Sequence, residues 1–472
     1  GSMALHTTEL FSFVPKTFGI PVSPLGLESV DTPPYPLEKY LTIPEEKVGL
    51  TGMMKASLRC PNPGSGIFFP PARGNIRAVS CTAWLMERSE RTQMKWTSTR
   101  SDQNWILENF LKLSSNEDTL HPGILAQRLE RGYKYHDLMR VYSRVTGRRS
   151  YARSWAKEGE RLVKLAEEST TSFTKAEFYY RAAMCFGRAQ HTIKGIHNAD
   201  KIKFYESLRK NWDLFAEYFD EDITVYRGDN SSFIHFPCQR TTEGSRQKNQ
   251  REANVLVIPG MDQFMQEVVF PYNNPWRRRG YNVFVMEGPG MVSQMMEENY
   301  LSVNNMSEAA SKIINSFKGD WIVFGMSFGT RWGIEIAADN PNTVRACIGQ
   351  MSNVGSTQVI FNQAQPNFRR IFMEMTNIHD DQRFDRYCKK VDQQLIRKAK
   401  QVKCPYLMVA GEDDELCSPE TTIDFVKDNI EHGVVWMYRD CFHVMGEVCG
   451  DIYGPIADWA MNPDTRKQVI WR

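Results

Sequence analysis

The sequence predicts an α/β protein in which a helical module precedes a mostly parallel sheet that carries helices on both faces. Residues 101–220 show long stretches of helical spacing, and residues 221–472 alternate short β-branched runs with helical segments. Residues 3–100 are irregular and rich in proline, so we expect loops and short helices there. With 472 residues the chain exceeds one core of ordinary size, which also favours several modules.

Four stretches with apolar residues at helical intervals predict the helical module. They run from Pro122 to Thr146, Tyr151 to Glu168, Thr174 to His191 and Asn198 to Phe219. Their small residues favour close antiparallel packing. The last stretch carries an aromatic stripe, which would lie in the core of the module or cover a ligand pocket. The stripe consists of Phe204, Leu208, Trp212, Phe215 and Tyr218.

Eight apolar runs predict the strands of the sheet. They are Ile223–Tyr226, Phe233–Phe236, Val255–Ile258, Val283–Met286, Trp321–Gly325, Ala346–Met351, Tyr406–Ala410 and Val434–Tyr438. Residues 353–402 are longer than a simple crossover and contain two stretches of helical spacing, Phe368–Met375 and Asp385–Lys400. Ligands bind at the carboxyl ends of strands in such sheets, so an insertion here could form a lid over a site.

Composition and charge argue against several classes of function. The 58 basic and 56 acidic residues give a net charge of +2, which provides no electrostatic reason for a nucleic acid or an anionic membrane as partner. No apolar run approaches the roughly 20 residues of a membrane helix, and no secretory signal follows Met3, so we expect a cytoplasmic protein. The ten cysteines lack CxxC pairs and metal-ligand spacing, which predicts reduced core thiols without a bound metal.

Gly-Met-Ser-Phe-Gly follows the predicted strand that begins at Trp321 and precedes a predicted helix over residues 331–338. A G-x-S-x-G sequence between a strand and a helix is typical of a nucleophile elbow, in which a serine lies on a strained turn. The flanking glycines give the turn room, and the helix dipole would stabilise an oxyanion. We therefore predict Ser327 as a nucleophile.

An acid and a base follow later predicted strands. Asp413 and Asp414 compete for the acid after Tyr406–Ala410, and the G-x-x-D spacing favours Asp414, although a solvated acidic turn is the alternative. His443 lies in a loop after the last predicted strand. The order Ser, Asp, His along the chain is that of a catalytic triad in hydrolases of this strand pattern. In such a triad His443 would take the proton of Ser327, and Asp414 would orient the imidazole.

Two backbone N–H groups would stabilise an oxyanion on the attacked carbonyl. One is that of Phe328, directly after the nucleophile, and the other belongs to the turn Pro259–Gln263, where we favour Met261. Gly260 would let the backbone approach closely. The glycine-rich turn at Glu287 lacks the pattern of a phosphate loop, so we expect no cofactor. We expect this turn to line the pocket, and the alternative is that Glu287 also serves as a further acid at the site.

The combination of helical module and motifs resembles one branch of the α/β-hydrolases. The matching motifs are Ile-Pro-Gly-Met-Asp-Gln-Phe, Arg-Gly-Tyr-Asn-Val-Phe-Val-Met-Glu-Gly-Pro-Gly, Gly-Met-Ser-Phe-Gly and Gly-Glu-Asp-Asp. The branch holds fungal polyketide-shortening hydrolases of melanin-type pigment pathways and the bacterial 2,6-dihydroxypseudooxynicotine hydrolase. The resemblance covers residues from about 100 to 472. The branch's Asp-Gly-Pro-Gly-Gln-Gly is Glu287-Gly-Pro-Gly-Met-Val here, which points to a different pocket chemistry.

The resemblance implies an α/β-hydrolase fold with an eight-stranded sheet and an N-terminal helical cap domain. It also implies cleavage of carbon–carbon bonds next to ketones, by Ser327, Asp414 and His443. We place the substrate, a hydrophobic small molecule, near Gly260, Asp262, Glu287 and Met326.

Three hypotheses about function stay open. In the first, the triad cleaves a C–C bond, an ester or a lactone of a polyketide-like metabolite. In the second, the same triad catalyses cyclisation, rearrangement or acyl transfer. In the third, the protein binds ligands on a hydrolase scaffold without catalysis. A homodimer is also open, because the segment before residue 101 lacks a core of its own.

Overall fold

The fold is that of a computed structural model, which describes residues 104–116, 121–239, 253–268, 274–363 and 368–472. The described residues all belong to one compact unit, Val79–Arg472. The proline-rich segment predicted over residues 3–100 lies outside the described residues.

Six helices precede the sheet in the described part of the chain. They are α1 (Asn104–Ser114), α2 (Ile124–Glu130), α3 (Tyr135–Tyr142), α4 (Arg148–Glu168), α5 (Ser172–His191) and α6 (Ala199–Tyr218). The stretch predicted from Pro122 to Thr146 forms two helices instead of one. Gly132, with a φ of +92°, turns the chain between α2 and α3. The other three predicted stretches are α4, α5 and α6, and α5 packs along both of its neighbours.

Nine strands form one sheet within the described residues. They are β1 (Thr224–Arg227), β2 (Ser232–Phe236), β3 (Ala253–Ile258), β4 (Tyr281–Glu287), β5 (Asp320–Met326), β6 (Val344–Gln350), β7 (Tyr406–Gly411), β8 (Gly433–Tyr438) and β9 (Gln468–Trp471). Their order is β1-β2-β4-β3-β5-β6-β7-β8-β9. β2 pairs antiparallel with β1 and β4, and the other pairs are parallel. The predicted mostly parallel sheet is confirmed.

All eight predicted runs are strands, and β9 is a ninth that the sequence did not predict. β9 has four residues and pairs parallel with β8 at the edge of the sheet. Its residues alternate between half-buried and exposed, so it lacks the continuous apolar run that marks the central strands.

Helices on both faces connect the strands. They are α7 (Pro275–Arg278), α8 (Val292–Met296), α9 (Asn305–Ser316), α10 (Gly329–Asp339), α11 (Thr357–Gln363), α12 (Phe368–Thr376), α13 (Asp381–Ala399), α14 (Pro419–Asn429) and α15 (Cys449–Met461). Successive residues of β3 enter two different cores. Val255 and Val257 face a core shared with α4–α6 and α15, whereas Leu256 and Ile258 face a core with α9, α10 and α13.

The segment predicted as an insertion, residues 353–402, contains α11, α12 and α13. Arg331 of α10 fixes its start, because the buried guanidinium donates to the carbonyls of Asn353 (2.6 Å) and Gly355. The same guanidinium pairs with Asp392 of α13, at 2.9 Å. This segment is therefore anchored to the helix that follows β5.

Two further observations concern the helices and the thiols. None of the described helices combines the length and the apolar character that a membrane-spanning helix needs. The eight cysteines of the described residues are free, and all but Cys238 are buried. Ionisation of buried thiols is disfavoured: burial raises the pKa of Cys441 and of Cys449 to about 11.

Candidate active site

Ser327 lies on a sharp turn between β5 and α10. It is one of few described non-glycine residues with positive φ, at +52°. A Cβ atom at Gly325 would stand 2.2 Å from the carbonyl oxygen of Gly329, and one at Gly329 would stand 2.3 Å from that of Ile258. Only glycine therefore allows the start of α10 to pack directly on the ends of β5 and β3. The turn presents the serine at the carboxyl edge of the sheet, as a nucleophile elbow does.

A hydrogen-bonded series connects Ser327, His443 and Asp414. The hydroxyl oxygen of Ser327 is 2.9 Å from Nε2 of His443, and Nδ1 of His443 is 2.9 and 3.0 Å from the two carboxylate oxygens of Asp414. Asp414 also accepts the backbone N–H groups of Leu416 (2.8 Å) and Cys417 (3.0 Å), which fix the carboxylate. Of the two competing acids, Asp414 is buried and faces the histidine.

Asp413 takes a different position from its neighbour. It is exposed, and its backbone N–H donates to the carbonyl of Cys441 at 2.9 Å. This bond holds the loop that carries His443 against the loop that carries Asp414. Asp413 thus supports the site through its backbone.

The carboxylate of Asp414 changes the protonation of His443. Burial acts to lower the pKa of this imidazole, but the charge and the hydrogen bond of Asp414 act in the opposite direction, and the pKa lies above its usual value. An imidazole with one nitrogen held by a carboxylate and the other on a serine hydroxyl can accept the serine proton. The geometry is therefore that of an activated nucleophile.

The two N–H groups predicted for an oxyanion flank Ser327. Neither the Met261 nor the Phe328 N–H donates to another group among the described residues. A Cβ atom at Gly260 would lie 3.2 Å from Cβ of Ser327, so the turn passes directly beside the nucleophile. The side chain of Gln263 accepts the N–H of Gly260 at 2.8 Å and fixes this turn. The role of both amides as donors to an oxygen anion at Ser327 stays a prediction.

Ser327 and His443 open into a cavity between the sheet and the preceding helices. Its volume is about 80 Å³, below the roughly 300–1,000 Å³ of typical ligand sites, so a larger ligand needs these parts to separate. Apolar side chains line part of it, among them Leu111, Ile124, Met351 and Phe368. Polar and charged side chains line the rest, among them Arg131, Arg188, Asp262 and Glu267. Of the two alternatives for the aromatic stripe, the core is the one found for Phe204, Leu208, Trp212 and Phe215, and none of these four residues lines this cavity.

The four residues placed near the substrate have different positions. Asp262 lines the cavity, and Gly260 lies beside Ser327. Of the described residues that line the cavity, none is Met326 or Glu287. Met326 is fully buried at the end of β5. The two carboxylate oxygens of Glu287 accept the N–H groups of Met265 (2.7 Å) and Ser293 (2.6 Å), so Glu287 holds two turns together.

Two acid–base contacts that the sequence did not predict form one wall of the cavity. His191 of α5 lies 3.6 Å from Asp262, and Arg188 one turn earlier lies 3.3 Å from Glu267. Burial, aided by the charge of Arg188, lowers the pKa of His191 well below its usual value, and burial raises that of Asp262. These two shifts favour the neutral forms of His191 and Asp262, so their contact is weaker than a pair of full charges.

His121 is a second histidine at the cavity. Its Nδ1 lies 2.9 Å from one carboxylate oxygen of Glu415, and the other oxygen accepts the backbone N–H of His443 at 2.9 Å. The His121 ring centroid is 6.5 Å from that of His443. Glu415 thus connects the segment before α2 with the loop of the proposed base. We call this pair of bonds the His121–Glu415 bridge.

Known structures share this architecture. The structure is similar to that of 2,6-dihydroxy-pseudo-oxynicotine hydrolase, with a TM-score of 0.58 and 18% identity over 71% of this chain and 94% of that chain. It is also similar to AbyA5, with a TM-score of 0.55 and 12% identity over 73% of this chain and 96% of that chain. The chain has the α/β-hydrolase fold. No protein-family model and no curated protein match the sequence.

In the α/β-hydrolase fold, the catalytic residues follow particular strands of the sheet. The nucleophile follows a central parallel strand, the acid follows a later one, and the histidine comes last. Ser327, Asp414 and His443 follow the ends of β5, β7 and β8, in that order. No group of three or more residues that could hold a metal ion is present in the described part of the chain.

Proposed function

We propose that this protein is a serine hydrolase that cleaves a C–C bond next to a ketone, or an ester or lactone, in a polyketide-like metabolite. The observation that carries the proposal is the hydrogen-bonded series from Ser327 through His443 to Asp414, of which Ser327 and His443 line a cavity. The likeness in fold to a protein named as a hydrolase supports the reaction type. The fungal polyketide branch is part of the proposal through the sequence motifs alone.

The mechanism follows from the geometry. His443 takes the proton of Ser327 while the serine oxygen bonds to the carbonyl carbon, and the carbonyl oxygen becomes an anion that the Met261 and Phe328 N–H groups stabilise. When the C–C or C–O bond breaks, the leaving carbon or oxygen receives the proton from His443. Water then gives its proton to His443 and its oxygen to the acyl carbon, and Ser327 leaves with that proton. Each N–H donor typically contributes about 2.7–4 kcal/mol of transition-state stabilisation.

Covalent labelling tests the nucleophile without knowledge of the substrate. A fluorophosphonate–biotin probe should add one phosphonyl group to the wild-type protein, at Ser327, as measured by intact mass and peptide mapping. Ser327→Ala should take up none. Ser316→Ala is the matched control and should label like wild type. Ser316 is an exposed serine of α9, and its hydroxyl donates to the backbone carbonyl of Lys312.

Absence of labelling in the folded wild-type protein would refute the proposal and favour a binding protein on a hydrolase scaffold. Labelling at another serine would refute the assignment of Ser327. Circular dichroism and thermal unfolding confirm that each variant is folded.

The small volume of the cavity, about 80 Å³, favours one second candidate, in which the same residues catalyse cyclisation or acyl transfer with water excluded. The acyl group would then leave Ser327 for a hydroxyl or carbon nucleophile instead of water. Turnover in ¹⁸O-labelled water separates the two reactions by mass spectrometry. Hydrolysis puts one labelled oxygen into the acyl product, and intramolecular transfer puts none.

A further inference from the structure

Arg131 is a buried cation at the wall of the cavity. It ends α2, and its residue is only 2% exposed. Its backbone is fixed on both sides, because its N–H donates to the carbonyl of Gln127 and its carbonyl accepts the hydroxyl of Tyr180. The same cavity is lined by Ser327 and His443. Arg131 and the proposed reaction centre therefore line one cavity.

The guanidinium has no protein acceptor for two of its N–H-bearing atoms. Within the described residues, Nε and Nη2 of Arg131 are buried without a hydrogen-bond partner. Burial of a cation without a partner costs several kcal/mol in general. A buried donor without an acceptor calls for an explanation, and an acceptor from outside the chain is one such explanation.

Other buried arginines show what a structural partner looks like in this chain. Arg188 pairs with Glu267, Arg277 with Glu221 and Arg331 with Asp392. The acids at or next to the cavity contact other residues: Asp414 contacts His443, Glu415 contacts His121, Asp262 contacts His191 and Glu267 contacts Arg188. Among the described residues, none of these acids pairs with Arg131.

We infer that Arg131 binds an anionic oxygen group of the substrate, a carboxylate or the enolate of a 1,3-diketone. A guanidinium matches both, because its planar fork of N–H groups donates to one or two oxygens at once. The inference rests on the proposed function, since the anion belongs to the molecule whose carbonyl Ser327 attacks. It changes the expected substrate from a merely hydrophobic molecule to an acidic one.

Matched pairs of substrates test this inference. The carboxylate arm compares 4-nitrophenyl hydrogen succinate, glutarate and adipate with their methyl-capped esters, so that only the charge differs within a pair. The enolate arm compares 1-phenylbutane-1,3-dione with its 2,2-dimethyl derivative, which cannot form an enolate. We measure kcat/KM for the wild type, Arg131→Met and Arg131→Lys. Arg153→Gln, an exposed arginine of α4, controls for the loss of one charge.

The wild type should prefer the anionic member of at least one pair. Arg131→Met should lose roughly tenfold to a hundredfold in kcat/KM on that member and little on the neutral one, which is the size expected for a hydrogen bond to a charged group. Arg131→Lys should retain part of the preference for the anionic member. Arg153→Gln should show the same kcat/KM values as wild type. The arm in which the preference appears tells a carboxylate from an enolate.

Binding to a Ser327→Ala protein keeps the inference separate from the proposed catalysis. Calorimetric titration with the same pairs should show the same charge preference, and its loss in the Ser327→Ala/Arg131→Met protein. Equal affinity for both members, or an equal loss for both in Arg131→Met, would overturn the role of Arg131 even if fluorophosphonate labels Ser327. A charge preference in an unlabelled protein would overturn the hydrolase and keep the anion site.

Thermal unfolding shows whether Arg131 is instead a structural residue. A cation without a protein partner gives little to the fold, so Arg131→Met should unfold at the same temperature as wild type or higher. A fall of several degrees, with no change in charge preference, would assign Arg131 to the packing of α2.

Discussion

His443 receives three different contacts, and each defines one part of its chemistry. Asp414 holds Nδ1, which leaves Nε2 to accept the proton of Ser327. Glu415 holds the backbone N–H, which fixes the loop. The raised pKa of His443 makes it a stronger base than a free imidazole, and it also means that protonation removes the base at a higher pH.

Replacement of Asp414 tests this coupling through the pH profile. Asp414→Asn should lower kcat about 10⁴-fold, because the amide no longer holds the required tautomer. The remaining activity should also fall at a lower pH than in wild type. The neutral imidazole is the active form, Asp414 raises the pKa of His443, and its removal lowers that pKa. The measurement is kcat/KM from about pH 5 to 9, the range in which histidine titrates.

Asp413→Asn is the matched control, because it removes an adjacent carboxylate that is exposed. It should retain the wild-type profile. A larger effect of Asp413→Asn, or an unshifted acidic limb in Asp414→Asn, would contradict the assignment of the acid.

Local patterns explain which single residues could be predicted. Ser327, Asp414 and His443 each follow a strand that the sequence predicts, so the adjoining sequence also predicts that they lie at the carboxyl edge of the sheet. Arg131 and His121 have no such pattern. They lie about two hundred residues or more before Ser327, and only the folded chain brings them to the cavity. A contact between distant segments leaves no periodic signal in either one.

Among the helices and strands, too, those whose conformation depends on their own sequence could be predicted, and those that depend on distant contacts could not. The central strands are buried on both faces and therefore carry continuous apolar runs, which made them predictable. β9 lies at the edge and owes its conformation to pairing with β8. The break between α2 and α3 required the left-handed conformation of Gly132, which hydrophobic spacing alone does not reveal. The domain boundaries at residues 101, 221, 353 and 402 remain predictions.

The His121–Glu415 bridge is a contact between elements that begins at a residue lining the cavity. His121 precedes α2, and Glu415 follows β7, so the bond ties the helical part to the sheet beside Ser327. Burial acts to raise the pKa of Glu415, but the His121 hydrogen bond and nearby imidazoles lower it overall, so the carboxylate is ionised. The side chain of Glu415 is 28% exposed, which weakens the pair relative to a buried one.

Breaking this bridge should ease the entry of bulky reagents. In His121→Ala the rate of Ser327 modification by phenylmethanesulfonyl fluoride should rise relative to that by methanesulfonyl fluoride, by about fivefold, as expected for loss of one exposed charged hydrogen bond. Loss of activity with time, followed at equal reagent concentration, gives both rates. His379→Ala, an exposed histidine before α13, is the control. An unchanged ratio in His121→Ala would show that this bond does not limit access.

At the scale of the whole molecule, α10 connects the site to stability. It begins at Gly329, two residues after Ser327, packs on the sheet and anchors residues 353–402 through Arg331. Glu335 lies one turn after Arg331 in the same helix and is 3% exposed. Burial raises the pKa of Glu335 to about 8, because the charged form loses its hydration and Arg331 compensates only in part.

This buried acid should make global stability depend on pH. Its pKa is about 8 in the folded protein, against an ordinary value of 4.5. Between these pH values the folded state retains a proton that the unfolded state has released, so the free energy of unfolding decreases as the pH rises through this window. Above pH 8 the folded protein must hold a buried charge. Glu335→Gln removes the titrating group and keeps a side chain of similar size.

Urea unfolding near pH 5 and near pH 9 measures the effect. The proteins compared are the wild type, Glu335→Gln and the control Glu308→Gln, which replaces an exposed glutamate of α9. Relative to wild type, Glu335→Gln should gain on the order of 3 kcal/mol between the two pH values, and Glu308→Gln almost nothing. Because α10 carries the turn of Ser327, the same variant should keep its fluorophosphonate labelling to a higher pH. A parallel pH dependence of Glu335→Gln and wild type would show that Glu335 is already ionised in the fold, with Arg331 as a sufficient partner.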